Sequence, residues 1–206
     1  MKTWQKTLAA SLIAAFLSPL AHAELSSSPK ISQTQVALRD LWSSHIFWVR
    51  NVALETLAHD KSGAAAAEQE VVANAKQIAA SIQPFYGQAA SDKLFTLLAG
   101  HYGAVKQYLI ATEKGSKSGQ DSANKAMAAN VDEIAAFLSS ANPYLPKETL
   151  QGLLLAHSGH HVQQIQELKG KDYRQEAHTW EAMKQHMNVI ADALGGALAK
   201  QFPERF

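Results

Sequence analysis

Nine histidines and no cysteine make imidazole the main group in this 206-residue chain that could hold a metal or pass a proton. Successive helical residues turn by about 100°, so each histidine can be placed against the apolar stripe of its own segment. His45 lies at the centre of Leu38, Leu41, Trp42, Trp48, Val49 and Val52, with Phe47 on the far side. His101 is centred on Leu94, Leu97, Leu98, Val105 and Tyr108, and His157 on Leu150, Leu153, Leu154 and Leu168. His161 follows His157 by one turn with His160 beside it, and His186 sits in a weaker stripe of Ala182, Met183, Val189, Ile190 and Ala193. Four segments therefore each direct a histidine toward one presumed core. Any one of them is explained by a backbone carbonyl, hydroxyl or water on its ring. Several together are harder to satisfy, because a buried imidazole nitrogen without a partner costs roughly 1–3 kcal/mol. The economical partners are one another, a metal ion or an anionic ligand, and facing helices of a bundle core build metal sites from such side chains. Neutral imidazole suits zinc, copper, iron or nickel alike.

Two further residues bear on such a site. Asn130 centres the stripe of Ala123, Met127, Ile134 and Phe137, where its amide would orient an imidazole or a ligand, or else bridge neighbouring backbone. His157 and His161 share one helical face and suit a single metal as a pair, or stand as a solvated surface pair. Arg50 is turned some 140° from His45, which separates it from that site and suggests a salt bridge to a neighbouring helix. The Glu-x-x-His pairs of carboxylate-bridged di-iron bundles are absent. So are the His-Glu-x-x-His protease motif, the Gly-x-Ser-x-Gly elbow and a glycine-rich phosphate loop. Haem held by histidine and Met183 or Met127 is an available but unsupported alternative.

The segments that must position these residues read as helices. Alanine, leucine, glutamine and lysine fill them, and strand-like alternation is missing. Helices are expected at about 33–59, 64–82, 87–113, 121–140, 146–168 and 172–200. Gln83-Pro84 ends the second, Lys114–Gly119 forms a linker, Pro146 opens the fifth, and Gly170 with Asp172 separates the last two. No repeat of 30–45 residues is apparent, which disfavours a solenoid. Long helices with short connections imply antiparallel neighbours. The expected fold is an all-α antiparallel bundle of four long core helices and about two more, forming one domain over residues 33–206.

Ahead of it, Lys2 and Lys6 precede an uncharged apolar stretch from Leu8 to Leu20 and then Ala21-His22-Ala23, the pattern of a secretory signal peptide cleaved after Ala23. The stretch falls short of the about 20 apolar residues of a membrane span, so no stable membrane anchor is expected after cleavage, and the absence of cysteine excludes a lipoprotein. Residues 24–32 read as a flexible leader. Removing Lys2 and Lys6 leaves 17 basic against 18 acidic side chains, and no basic cluster with interleaved aromatics suggests nucleic acid as a partner. Without disulfides, the roughly 180 remaining residues must rely on their core, and one domain of that size can do so. The expected location is periplasmic or extracellular.

The blocks Leu41-Trp42-Ser43-Ser44-His45-Ile46-Phe47-Trp48-Val49-Arg50-Asn51, Ile82-Gln83-Pro84-Phe85-Tyr86-Gly87, the stretch from Asn130 to Pro143, and His186-Met187 with Ala191-Asp192 resemble a small bacterial and archaeal helical-bundle family without an assigned function. The similarity spans nearly the whole chain after the leader and implies a shared helical fold. Some relatives carry a glycosyltransferase label, which no motif here supports. Three functions fit these residues. The first is an exported bundle binding a metal ion or small ligand through His45, His101, His157, His186 and His161, with Asn130 contributing to ligand binding. The second is a non-catalytic interaction or envelope stress protein whose core histidines are structural. The third, an enzyme using a core histidine as general base, requires an open pocket beside a perturbed group.

Overall fold

The computed structural model describes residues 28–206; the expected signal peptide and most of the leader lie outside them. Among the described residues the chain is all-α, in six long helices and one short turn. They are α1 (Pro29–Leu57), α2 (Lys61–Ser81), the single turn α3 (Gln83–Tyr86), α4 (Gln88–Glu113), α5 (Lys117–Ala141), α6 (Lys147–Gly170) and α7 (Tyr173–Gln201). All six long helices exceed 20 residues, where four were expected.

Two boundaries differ from the sequence expectation for one reason. Serine before a helix reads as linker by composition but acts as an N-cap by geometry. Ser28 accepts from Ile31 N and donates to the Phe206 carbonyl, and Pro29 occupies the first turn, so α1 starts inside the expected leader. Ser116 likewise caps Gly119 N, which starts α5 inside the expected linker.

The long helices form three antiparallel hairpins, α1–α2, α4–α5 and α6–α7, that pack into a closed ring through α2 on α4, α5 on α6 and α7 on α1. The first helices of the hairpins, α1, α4 and α6, also touch one another across the middle. The hairpins repeat one another in register with a period of 56 residues, beyond the shorter periods of common helical repeats. Each turn carries one residue in the left-handed region, His59 (φ 62°), Gly115 (φ 68°) or Lys171 (φ 58°). An N-cap follows it, Asp60, Ser116 or Asp172, whose side chain accepts from the first turn of the next helix.

The repeat extends through the core. Leu38, Leu94 and Leu150 are buried equivalents, as are Ile78, Ile134 and Ile190, and Ala79, Ala135 and Ala191. Burying each leucine or isoleucine contributes about 1.5–3 kcal/mol. Each hairpin is also pinned by a polar side chain of its second helix bonded to a carbonyl of its first. Asn74 Nδ2 donates to Leu41 O at 3.0 Å, Asn130 Nδ2 to Leu97 O at 3.0 Å, and His186 Nε2 to Leu153 O at 2.8 Å. Three similar hairpins around α1, α4 and α6 define a pseudo-threefold axis through the bundle. No helix among the described residues is long and apolar enough to cross a membrane.

Candidate metal centre

Three equivalent histidines stand on that axis. Each first helix presents its apolar stripe inward, and the residue one turn after Leu41, Leu97 and Leu153 is His45, His101 and His157. All three are buried. The His101 ring stacks on His157 at 5.6 Å and 24°, and His45 lies 5.6 Å from His157. One residue breaks the repeat: where the first two hairpins carry Val49 and Val105, the third carries His161. Its ring is 4.5 Å from His157, 6.0 Å from His45 and 6.5 Å from His101. Four imidazoles from three helices thus share one interior point.

The nitrogens are arranged for a common ligand. His157 Nε2 and His161 Nε2 are 3.2 Å apart. Two nitrogens bound to one tetrahedral ion at about 2.0–2.1 Å stand about 3.3 Å from each other. One ligand nitrogen each from His45, His157 and His161 falls within a set no wider than 4.8 Å. Neither nitrogen of His45 or of His101 has a hydrogen-bond partner, nor does His157 Nδ1.

The protonation state follows from burial. Loss of solvent, reinforced by the neighbouring His101, lowers the His45 pKa to about 3. Burial brings His101 to about 4, opposed by the nearby Asn130 amide. His157 and His161 are held well below the ordinary histidine range, first by burial and then by the other imidazoles. All four are neutral at pH 7, the form that binds metal.

Asn130 stands beside this group rather than in it. Its amide nitrogen is committed to Leu97 O, and its Oδ1 is buried without a hydrogen-bond partner. Gly100 makes the approach possible, since a Cβ there would lie 3.0 Å from Asn130 Nδ2. His186 does not join the cluster. It is half-buried on α7, its Nε2 is used on Leu153 O, and its ring faces His160 at 5.5 Å. The reason lies in the repeat: His186 occupies the hairpin-pinning position of Asn74 and Asn130 on a second helix, whereas the axis is lined by the histidines of the first helices.

Arg50 is also accounted for outside the cluster. It makes a two-pronged pair with buried Glu176, Nε to Oε1 at 2.7 Å and Nη2 to Oε2 at 2.8 Å, and Gln164 Nε2 donates to the same Oε1 at 2.9 Å. The Arg50 hydrogen bonds hold the Glu176 carboxyl below its usual range against the opposing effect of burial.

Sequence reasoning missed Gly100 and the equivalence of the three axial histidines. Two signals for that equivalence were present, the Leu-x6-His spacing of Leu38–His45, Leu94–His101 and Leu150–His157, and the Ile-Ala dipeptides at 78, 134 and 190. Fold and site together define a class, a closed ring of three helical hairpins with a buried histidine cluster on its axis. Comparison with protein-family profiles, with curated proteins and with solved structures found no match.

Proposed function

We propose that this chain is an exported bundle that holds one transition-metal ion in its axial histidine cluster, and that it belongs to the small helical family its sequence blocks resemble. The carrying observation is the 3.2 Å separation of His157 Nε2 and His161 Nε2, with His45 in the same set of ligand atoms. An ion would relieve the unpaired nitrogens, whose burial otherwise costs roughly 1–3 kcal/mol each. His45, His157 and His161 supply three ligands, and His101 stands close enough to complete a set of four. The binding-competent form is already populated at neutral pH, so an ion displaces few protons on entry. Imidazole ligation admits zinc, copper, iron or nickel.

The test uses untagged protein expressed from the full chain and recovered from the periplasm, with metal content measured by elemental analysis and by titration. About one ion per chain is expected in the wild type, and none in His161→Val. Valine is the residue the other two hairpins carry at that position, so the variant is expected to fold. Metal-free wild-type protein that also fails to take up zinc, copper, iron or nickel in titration would overturn the proposal.

A further inference from the structure

A second feature lies along the axis above the histidines. A cavity of about 60 Å³ is walled by the equivalent leucines and isoleucines of all three hairpins. His45, His101 and His157 line it at the level of the cluster. Its far end, by helical register, is lined by Tyr86 and Asn142. The polar atoms at that far end are already engaged: Tyr86 OH donates to Gln201 Oε1 at 2.6 Å and accepts from Asn142 Nδ2 at 3.0 Å. At the other end the nitrogens of His45 and His101 are buried and unpartnered, each residue being 4 % exposed.

We infer that this chamber binds a small uncharged molecule of a few heavy atoms, apolar along its body, with one hydroxyl- or amine-like group directed at His45 and His101. Size sets the first limit, since the cavity is smaller than the ~150 Å³ apolar cavity that accepts benzene. Charge sets the second. No carboxylate, lysine or arginine lines the chamber, and the imidazoles are neutral, so an anion or a cation would enter without a counter-charge and lose its hydration. A neutral imidazole offers one donor and one acceptor, which matches a single hydroxyl or amine. An entirely apolar guest would leave those nitrogens unpaired, and water alone would leave the leucine and isoleucine walls in contact with a polar guest. The inference is independent of the metal, because it rests on the metal-free cavity and on His101 as well as His45.

The experiment uses the metal-stripped full-length protein after export, with histidine side-chain nitrogens labelled for NMR. 1-Propanol is the probe and propionate, with the same carbon count and a charge, is the comparison. Saturable shifts of the His45 and His101 resonances with 1-propanol are expected, with none for propionate. Ile134→Phe, which fills the wall away from the histidines, should weaken the response by about tenfold or more, equivalent to at least ~1.4 kcal/mol. If that variant does not fold, Leu94→Phe tests the same wall. Absence of saturable shifts, an equal response to propionate, or undiminished binding in the folded wall variant would each overturn the inference. Metal uptake by Ile134→Phe, measured separately, reports on the histidine cluster alone, so failure of one reading is not mistaken for failure of the other.

Discussion

Mild acid should unfold the metal-free protein, and the histidine cluster determines by how much. His45 and His101 titrate near 3 and 4 in the folded chain, and His157 and His161 are depressed further than an ordinary histidine. In the unfolded chain each titrates near 6.5. Between those limits the unfolded state binds more protons, so stability is complete above about pH 6.5 and is lost as pH falls through that value toward the folded pKa. At pH 5, 1.5 units below the unfolded pKa, each histidine held neutral lowers stability by about 2 kcal/mol. Four of them remove about 8 kcal/mol, comparable to the whole stability of a typical domain. Urea unfolding followed by circular dichroism at pH steps from 7.5 to 5 measures this directly. His101→Phe keeps a planar ring but removes one titrating group, so its loss over the same range should shrink to about 6 kcal/mol. A wild-type loss below about 2 kcal/mol, or an unchanged slope in His101→Phe, would refute the claim that four neutral imidazoles share the core.

Arg50→Met should destabilise the fold by about 3–5 kcal/mol, read as a lower urea midpoint, because it leaves the buried Glu176 carboxylate without its cation. Lys171→Gly should raise stability by up to about 1 kcal/mol in thermal or urea unfolding, since Lys171 is held at φ 58°, where glycine has no side-chain penalty and the equivalent Gly115 already stands.

Each helix was legible because one stripe of its surface is apolar, and the same arithmetic correctly turned His45, His101, His157 and His161 inward. It placed Arg50 away from them for the same reason. What such a stripe cannot state is which element the inward face meets. His186 shows the limit, since its stripe also points inward but ends on the Leu153 carbonyl within its own hairpin. Asn130 was legible as a core amide, yet its reach to Leu97 depends on Gly100, a residue of another helix with no signal of its own. The helix starts at Pro29 and Lys117 were misjudged because Ser28 and Ser116 cap helices in a composition that elsewhere marks loops. The repeat was hidden by divergence: apart from the leucines, histidines, isoleucines and alanines of the axis, few of the matched positions kept a common residue in all three hairpins.

Joining the hairpins in one polypeptide has a consequence for His161. Three separate but identical subunits around the same axis would have to carry an imidazole at all three matching positions or at none. A continuous chain escapes that constraint, because each copy of the unit can change alone. Val49 and Val105 were free to remain packing residues while their counterpart became a potential ligand. Covalent linkage thus allows an uneven donor set inside an architecture that is otherwise close to symmetric.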